Sequence, residues 1–190
     1  MLMRRIFVML LLFCQIITCY GQDKSYKGDG CDDVLQYVPY ASVLALKVAG
    51  VDGASSWKRL AVNGGLSFVV SSGITYALKH VIHERRPDGT DNRAFPSGHS
   101  TVAFSGATVL HKEYGKISPL ISIAGYGVAT FTAVDRVIRH RHEWHDVVVG
   151  AGIGILSTEL CYWLGDKLTG ERSRFVVSPT TNGVSMIIQF

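Results

Sequence analysis

Three apolar stretches constrain this chain more than any other feature: Leu60 to His83, Ile117 to Arg139 and Asp146 to Leu164. Each is near the roughly 20 residues that an α-helix needs to cross a bilayer. The second stays apolar until Asp135, and Glu159 alone interrupts the third. Two shorter segments also read as helical. Val34 to Val48 has Pro39 near its start, and Ser97 to Lys112 follows a Pro-Ser-Gly turn, a good helix start. No strand alternation appears before the tail. The fold class expected is all-α, a membrane-embedded bundle of five to six helices with a short C-terminal β-hairpin. Internal polar residues such as Asn63 keep a compact peripheral bundle as the alternative.

Small residues support close helix packing. Gly64, Gly65, Ser67, Ser71, Ser72 and Gly73 lie in the first long stretch. The run Gly150-Ala151-Gly152-Ile153-Gly154 resembles a nucleotide loop only superficially. It follows no strand and sits inside an apolar helix, so it reads as a packing surface.

The rest of the chain divides around this bundle. Arg4 and Arg5 precede an apolar run from Ile6 to Cys19, so residues 1–21 read as a signal peptide or a first membrane helix. Residues 22–33 are polar and read as a linker. Residues 34–170 form the bundle, and residues 171–190 a tail in which Arg174–Val177 and Val184–Phe190 flank turn chemistry ending in Asn182-Gly183. Cys14, Cys19, Cys31 and Cys161 form no disulfide framework and no paired-cysteine zinc signature. The net charge of +4 is mild and no basic–aromatic stripe is present, which argues against nucleic acid as a partner.

Polar chemistry is gathered between the helices in three clusters. Lys79 and Arg86-Pro87 form the first, Pro96-Ser97-Gly98-His99 the second, and Arg136, His142 and Asp146 the third. Arg86 and Arg136 can each offer a planar fork of N–H donors to an oxyanion, and Lys79 offers a compact charge. Ser97 and the Gly98 N–H add shorter contacts, at a helix N-terminus that favours anions. His142 and Asp146 are four apart and so share a helix face. Asp146 can hold the proton on one ring nitrogen and leave the other free as a nucleophile. His99 is the candidate general acid for the leaving oxygen. His140 and His145 tempt a metal reading, but Arg139 and Arg141 repel a cation and no carboxylate shell is clear. No metal and no cofactor is expected.

On these residues the chain resembles the type 2 phosphatidic acid phosphatase family, which shares its site with vanadium haloperoxidases and bacterial non-specific acid phosphatases. The resemblance covers about half the chain, Lys79 to Asp146 and the helices around it. It implies a helical bundle and a phosphohistidine intermediate on His142, with His99 as leaving-group acid and Asp146 as orienter. It places Lys79, Arg86, Ser97, Gly98 and Arg136 around the phosphate. One position departs: Ser often precedes the third-cluster Arg in the family, whereas Asp135 stands here. An acid at that point repels phosphate unless a cation such as Arg139 pairs with it.

The resemblance implies a metal-independent phosphatase acting on phosphorylated membrane lipids. Candidate substrates are phosphatidate, phosphatidylglycerol phosphate, isoprenyl diphosphate and the phosphates of lipid A. With Arg4 and Arg5 inside, successive crossings put the three clusters on the periplasmic or outer side. Lys58, Arg59, Lys112, Lys116 and Lys167 then fall at the other end. A soluble or peripheral acid phosphatase, periplasmic after signal cleavage, is the alternative. A vanadium haloperoxidase and a non-enzymatic membrane scaffold rank below it.

Overall fold

The structure, a computed structural model, describes residues 30–169, 174–180 and 183–189. The signal-like segment lies outside the described residues. Among the described residues six helices follow one another: α1 (Cys31–Leu35), α2 (Val38–Val48), α3 (Trp57–Val81), α4 (Gly98–Tyr114), α5 (Pro119–Ile138) and α6 (Trp144–Thr169). The all-α bundle expected from the sequence is the fold observed. The expected first helix is split, however. Gln36 and Tyr37 form a turn, and Pro39 sits in the first turn of α2, where its missing N–H costs nothing. The linker expected over 22–33 ends early, because Cys31, Asp32 and Asp33 open α1 and Asp32 is fully buried.

Helix ends follow local chemistry. Ser56 caps α3 by accepting from the Arg59 N–H, and Ser97 caps α4. At the end of α5 the Arg141 N–H reaches the Arg136 carbonyl at 3.0 Å, and the His140 N–H reaches Val137 at 3.0 Å. This is the Schellman pattern, and it forces His140 to a left-handed φ of 54°. The sharp turn that results delivers His142 back toward the bundle.

Helix α4 is the centre of the molecule, with α2, α3, α5 and α6 packed around it. Inside a bilayer, burying an apolar side chain away from lipid gains little, so close packing and interhelical hydrogen bonds hold the bundle. Hydroxyls on α4 supply the bonds. Thr101 meets Thr75 of α3 at 3.0 Å, and Ser105 meets Thr158 of α6 at 2.8 Å and Tyr40 of α2 at 2.7 Å. Each such bond is worth about 0.6 kcal/mol in a membrane protein. Glycines supply the close approach. A Cβ on Gly150 would stand 2.5 Å from the Ser97 carbonyl oxygen, and one on Gly154 would stand 2.5 Å from that of Thr101. Gly152 faces open space, so two of the three glycines in the run carry the α4–α6 contact.

The outer surface is apolar. Leu120, Ile123, Phe131, Val148, Leu156 and Trp163 project outward, with Leu120 at 71% and Leu156 at 70% exposure. A water-facing helix would not present such a belt. Helices α3, α5 and α6 are long and apolar enough to cross a membrane. Together with this belt, they make the chain a membrane protein. In the tail, strands β1 (Arg174–Thr180) and β2 (Gly183–Gln189) pair antiparallel with Thr180 opposite Gly183. They run further than expected, taking in Ser178 and Pro179, and Asn182 lies outside the described residues.

Candidate active site

The up-and-down course of α3 to α6 brings four helix ends together at one end of the bundle. The C-terminal turn of α3 carries Lys79, and that of α5 carries Arg136. The N-termini of α4 and α6 meet them, carrying Ser97, Gly98 and His99 on one and Asp146 on the other. Two helix N-termini add partial positive charge to the side-chain cations. A hydrogen bond from the Ser97 N–H to the Asp146 carbonyl, 3.0 Å, ties the second and third clusters together. The α4–α6 glycine contact is what permits that approach.

Asp146 has two local duties. It stands three residues into the α6 start, and its Oδ2 accepts the Glu143 backbone N–H at 3.0 Å, a helix-capping bond. The same oxygen lies 3.2 Å from Nδ1 of His142. Both side chains are buried, at 1% exposure for His142 and 0% for Asp146. If Asp146 accepts the Nδ1 proton, Nε2 is left with its lone pair. That nitrogen points to Arg86, whose guanidinium is 3.4 Å away. Burial pushes the His142 pKa down first, and the charges of Arg86, Arg136, Lys79 and His99 push it further, to about 2. The imidazole is therefore neutral at any physiological pH, which is the nucleophilic form.

The remaining candidates stand around this dyad. Arg86 is held by Asp91 at 2.8 Å and by the Arg141 carbonyl at 3.3 Å. Lys79 donates to the Arg93 and Ala94 carbonyls at 2.8 and 3.3 Å, and its Cε lies 3.9 Å from where a Cβ on Gly98 would be. Ser97 is fully buried, its Oγ accepting weakly from the Ser100 N–H at 3.5 Å. The Nε of Arg136 is buried without a hydrogen-bond partner. An orphaned guanidinium donor beside a neutral imidazole suits an oxyanion.

Two residues were missed by sequence reasoning. Asp32 pairs with Arg136 through a very short contact and with Arg139 at 2.6 Å. Asp33 reaches Nε2 of His99 at 2.5 Å. Neighbouring acids in a polar, glycine-containing stretch ordinarily read as solvated, and their partners lie 66 or more residues away. Asp135 lies 3.8 Å from Arg139, but Asp32 already engages that guanidinium at 2.6 Å and the Asp135 Oδ2 makes no hydrogen bond, so the pairing expected from the sequence is weak. Among the described residues, two groups have metal-ligand spacing: Asp32, Asp33 and His99, and Glu84, His145 and Asp146. In the first, two arginines already neutralise Asp32. The second is half open to solvent and shares Asp146 with the dyad.

A buried histidine–carboxylate dyad among cations, built on helix ends of a membrane bundle, defines a candidate phosphoryl-transfer site. Residues 60–169 match the PAP2 superfamily, and the chain belongs to it. A lipid A 1-phosphatase from Porphyromonas gingivalis is 43% identical over 138 residues, covering 72% of this chain and 31% of that protein. A PA-phosphatase related-family protein from Dictyostelium discoideum is 29% identical over 83 residues, 37% of this chain and 31% of that protein. The chain thus spans about a third of the length of the curated relatives it matches. The crystal structure of Aquifex aeolicus LpxE shares the fold, with a TM-score of 0.54 at 24% identity, over 68% of this chain and 82% of that one.

Proposed function

We propose that the protein is a metal-independent phosphatase of phosphorylated membrane lipids, working through a phosphohistidine on His142. The observation that carries this reading is the dyad: a neutral, buried imidazole whose Nδ1 faces a carboxylate and whose Nε2 faces Arg86. Lys79, Arg86, Arg136 and the Ser97–Gly98 helix start bind the phosphate oxygens. The Nε2 lone pair of His142 attacks phosphorus, and the ester P–O bond breaks. The leaving oxygen takes a proton from His99. Asp146 stabilises the positive charge that develops on the ring. Water then attacks phosphorus and gives a proton to His99, and the P–N bond breaks with its electron pair returning to Nε2, releasing phosphate with His142 neutral again.

The apolar belt supports a lipid substrate, since the ends of membrane-crossing helices lie near the depth of headgroup phosphates. The 43% identical lipid A 1-phosphatase makes lipid A 1-phosphate the first substrate to test. The side of the site is proposed as periplasmic, following the crossings expected with Arg4 and Arg5 inside. Purified protein in detergent should release phosphate from phosphorylated lipids in the presence of EDTA, with lipid A 1-phosphate ahead of phosphatidate. Release from none of them, or release only after zinc or magnesium is added, would overturn the proposal.

A further inference from the structure

The carboxylates of Asp32 and Asp33 occupy ground that the proposed reaction needs. Asp32 is fully buried on Arg136 and Arg139, and its Oδ2 is 4.0 Å from Nε2 of His99. Asp33 holds that same nitrogen at 2.5 Å. A carboxylate lying between a guanidinium and an imidazole stands where a tetrahedral anion bridging the two would stand. While Asp33 accepts a proton from Nε2, that proton is committed and does not reach a leaving oxygen.

We infer that α1 is a strap carrying a resident competitor, Asp32–Asp33, which the substrate phosphate displaces from Arg136, Arg139 and His99. This rests on the function proposed above. Three observations favour displacement over permanent support. First, phosphate and a buried carboxylate repel each other at this spacing, and phosphate brings more charge and more oxygens to the same donors. Second, among the described residues α1 has few apolar contacts to the bundle. Leu35 is its one buried apolar side chain, Val34 is 48% exposed, and the Gln36–Tyr37 turn separates α1 from α2. Third, the Arg139 guanidinium packs on the bare Cα of Gly30, in the space a Cβ would fill. The strap thus depends on ion pairs that an incoming dianion would take over. The consequence is selectivity: an anion that cannot engage Arg136 and His99 together leaves the strap closed.

Two measurements on the full chain in detergent test this. The first is the inhibition constant of vanadate against hydrolysis of an aryl phosphate, for wild type and Asp32→Asn. Removing the competitor's charge should tighten vanadate by about tenfold, the effect of losing one buried charge pair. Weaker vanadate binding in Asp32→Asn would mean that Asp32 positions Arg136 and would overturn the inference. The second measurement keeps both aspartates, so it holds even if the variant does not fold. Cys31 is half-buried on the strap itself. In a Cys14→Ser/Cys19→Ser background, a water-soluble maleimide should label Cys31 severalfold faster when vanadate saturates the site. Labelling that is unchanged or slowed overturns the strap whatever the inhibition constants show. No hydrolysis of any phosphate by wild type would instead bring down the proposed function.

Discussion

Replacing Asp146 separates its two duties. Its Oδ2 accepts from both the Glu143 N–H and the His142 Nδ1–H, at 3.0 and 3.2 Å. In Asp146→Asn the amide oxygen can take that position and keep both bonds, which leaves the amide NH2 at the Oδ1 site, 3.3 Å from a His145 Nε2 that already donates to Glu84. The ring keeps its tautomer, and only the charge is lost. A hydrogen bond to a charged group is worth about 1.5–3 kcal/mol and a neutral one about 0.5–1.5 kcal/mol. The difference, about 1–2 kcal/mol, predicts a fall in kcat of roughly 5- to 30-fold. Asp146→Ala removes the acceptor altogether. It orphans two buried N–H groups and frees the ring to adopt the wrong tautomer, a loss of roughly 10⁴ by analogy with removal of the carboxylate from a serine-protease triad. Single-turnover hydrolysis of an aryl phosphate at saturation measures both, with circular dichroism to show that each variant is folded. An Asn variant as slow as the Ala variant would refute the shared-oxygen argument. An Ala variant within tenfold of wild type would refute the orienting role itself.

Other expectations follow from the same geometry. His99→Ala should lose roughly 10²–10⁴-fold on a lipid phosphate, whose alkoxide needs a proton, and far less on a nitrophenyl phosphate; equal losses would mean that His99 only binds or supports. Gly150→Val should weaken the α4–α6 contact, because a Cβ there meets the Ser97 carbonyl oxygen at 2.5 Å and pushes the dyad from the α4 start. It should lower both Tm in detergent and kcat, whereas Gly152→Val, facing open space, should change neither. His142 has a folded pKa of about 2 and an unfolded value near 6.5, so the unfolded state binds the extra proton. Its contribution to stability is therefore complete above pH 6.5 and is lost progressively as pH falls toward 2, reaching about 2 kcal/mol at pH 5. His142→Gln should show a smaller drop in Tm between pH 7 and pH 5 than wild type, and an equal drop would contradict the neutral buried imidazole.

Much of the architecture was legible because it depends on local pattern. Apolar length marked α3, α5 and α6, and the Pro-Ser-Gly turn marked the start of α4 at Gly98 within one residue. Lys79, Ser97, Gly98, His99, Arg136 and Asp146 lie at helix ends, whereas Arg86 stands in the loop after α3 and His142 in the bend before α6, so the helix face expected to carry both His142 and Asp146 is not formed. What was hidden depends on contacts across the chain. Nothing near Asp32 signals that Arg136, 104 residues on, will bury it. The same holds at the far end of the bundle. There Glu113 accepts from Ser55 and Tyr162, each at 2.7 Å, and Asp166 pairs with Arg59 at 2.7 Å. His140, which in the sequence only tempts a metal reading, takes a left-handed φ in a turn whose chemistry usually asks for glycine. A residue-by-residue pattern does not announce such a turn when its helix cap is a histidine.

The central claim is that His142 attacks phosphorus. It is tested most directly by mixing enzyme with isotope-labelled phosphate ester, quenching at alkaline pH within one turnover, and mapping the label by mass spectrometry. The account predicts an acid-labile phosphoryl group on His142, absent from His142→Ala and longer-lived when the second step is slowed. Label on another residue, or an active His142→Ala enzyme, would contradict it.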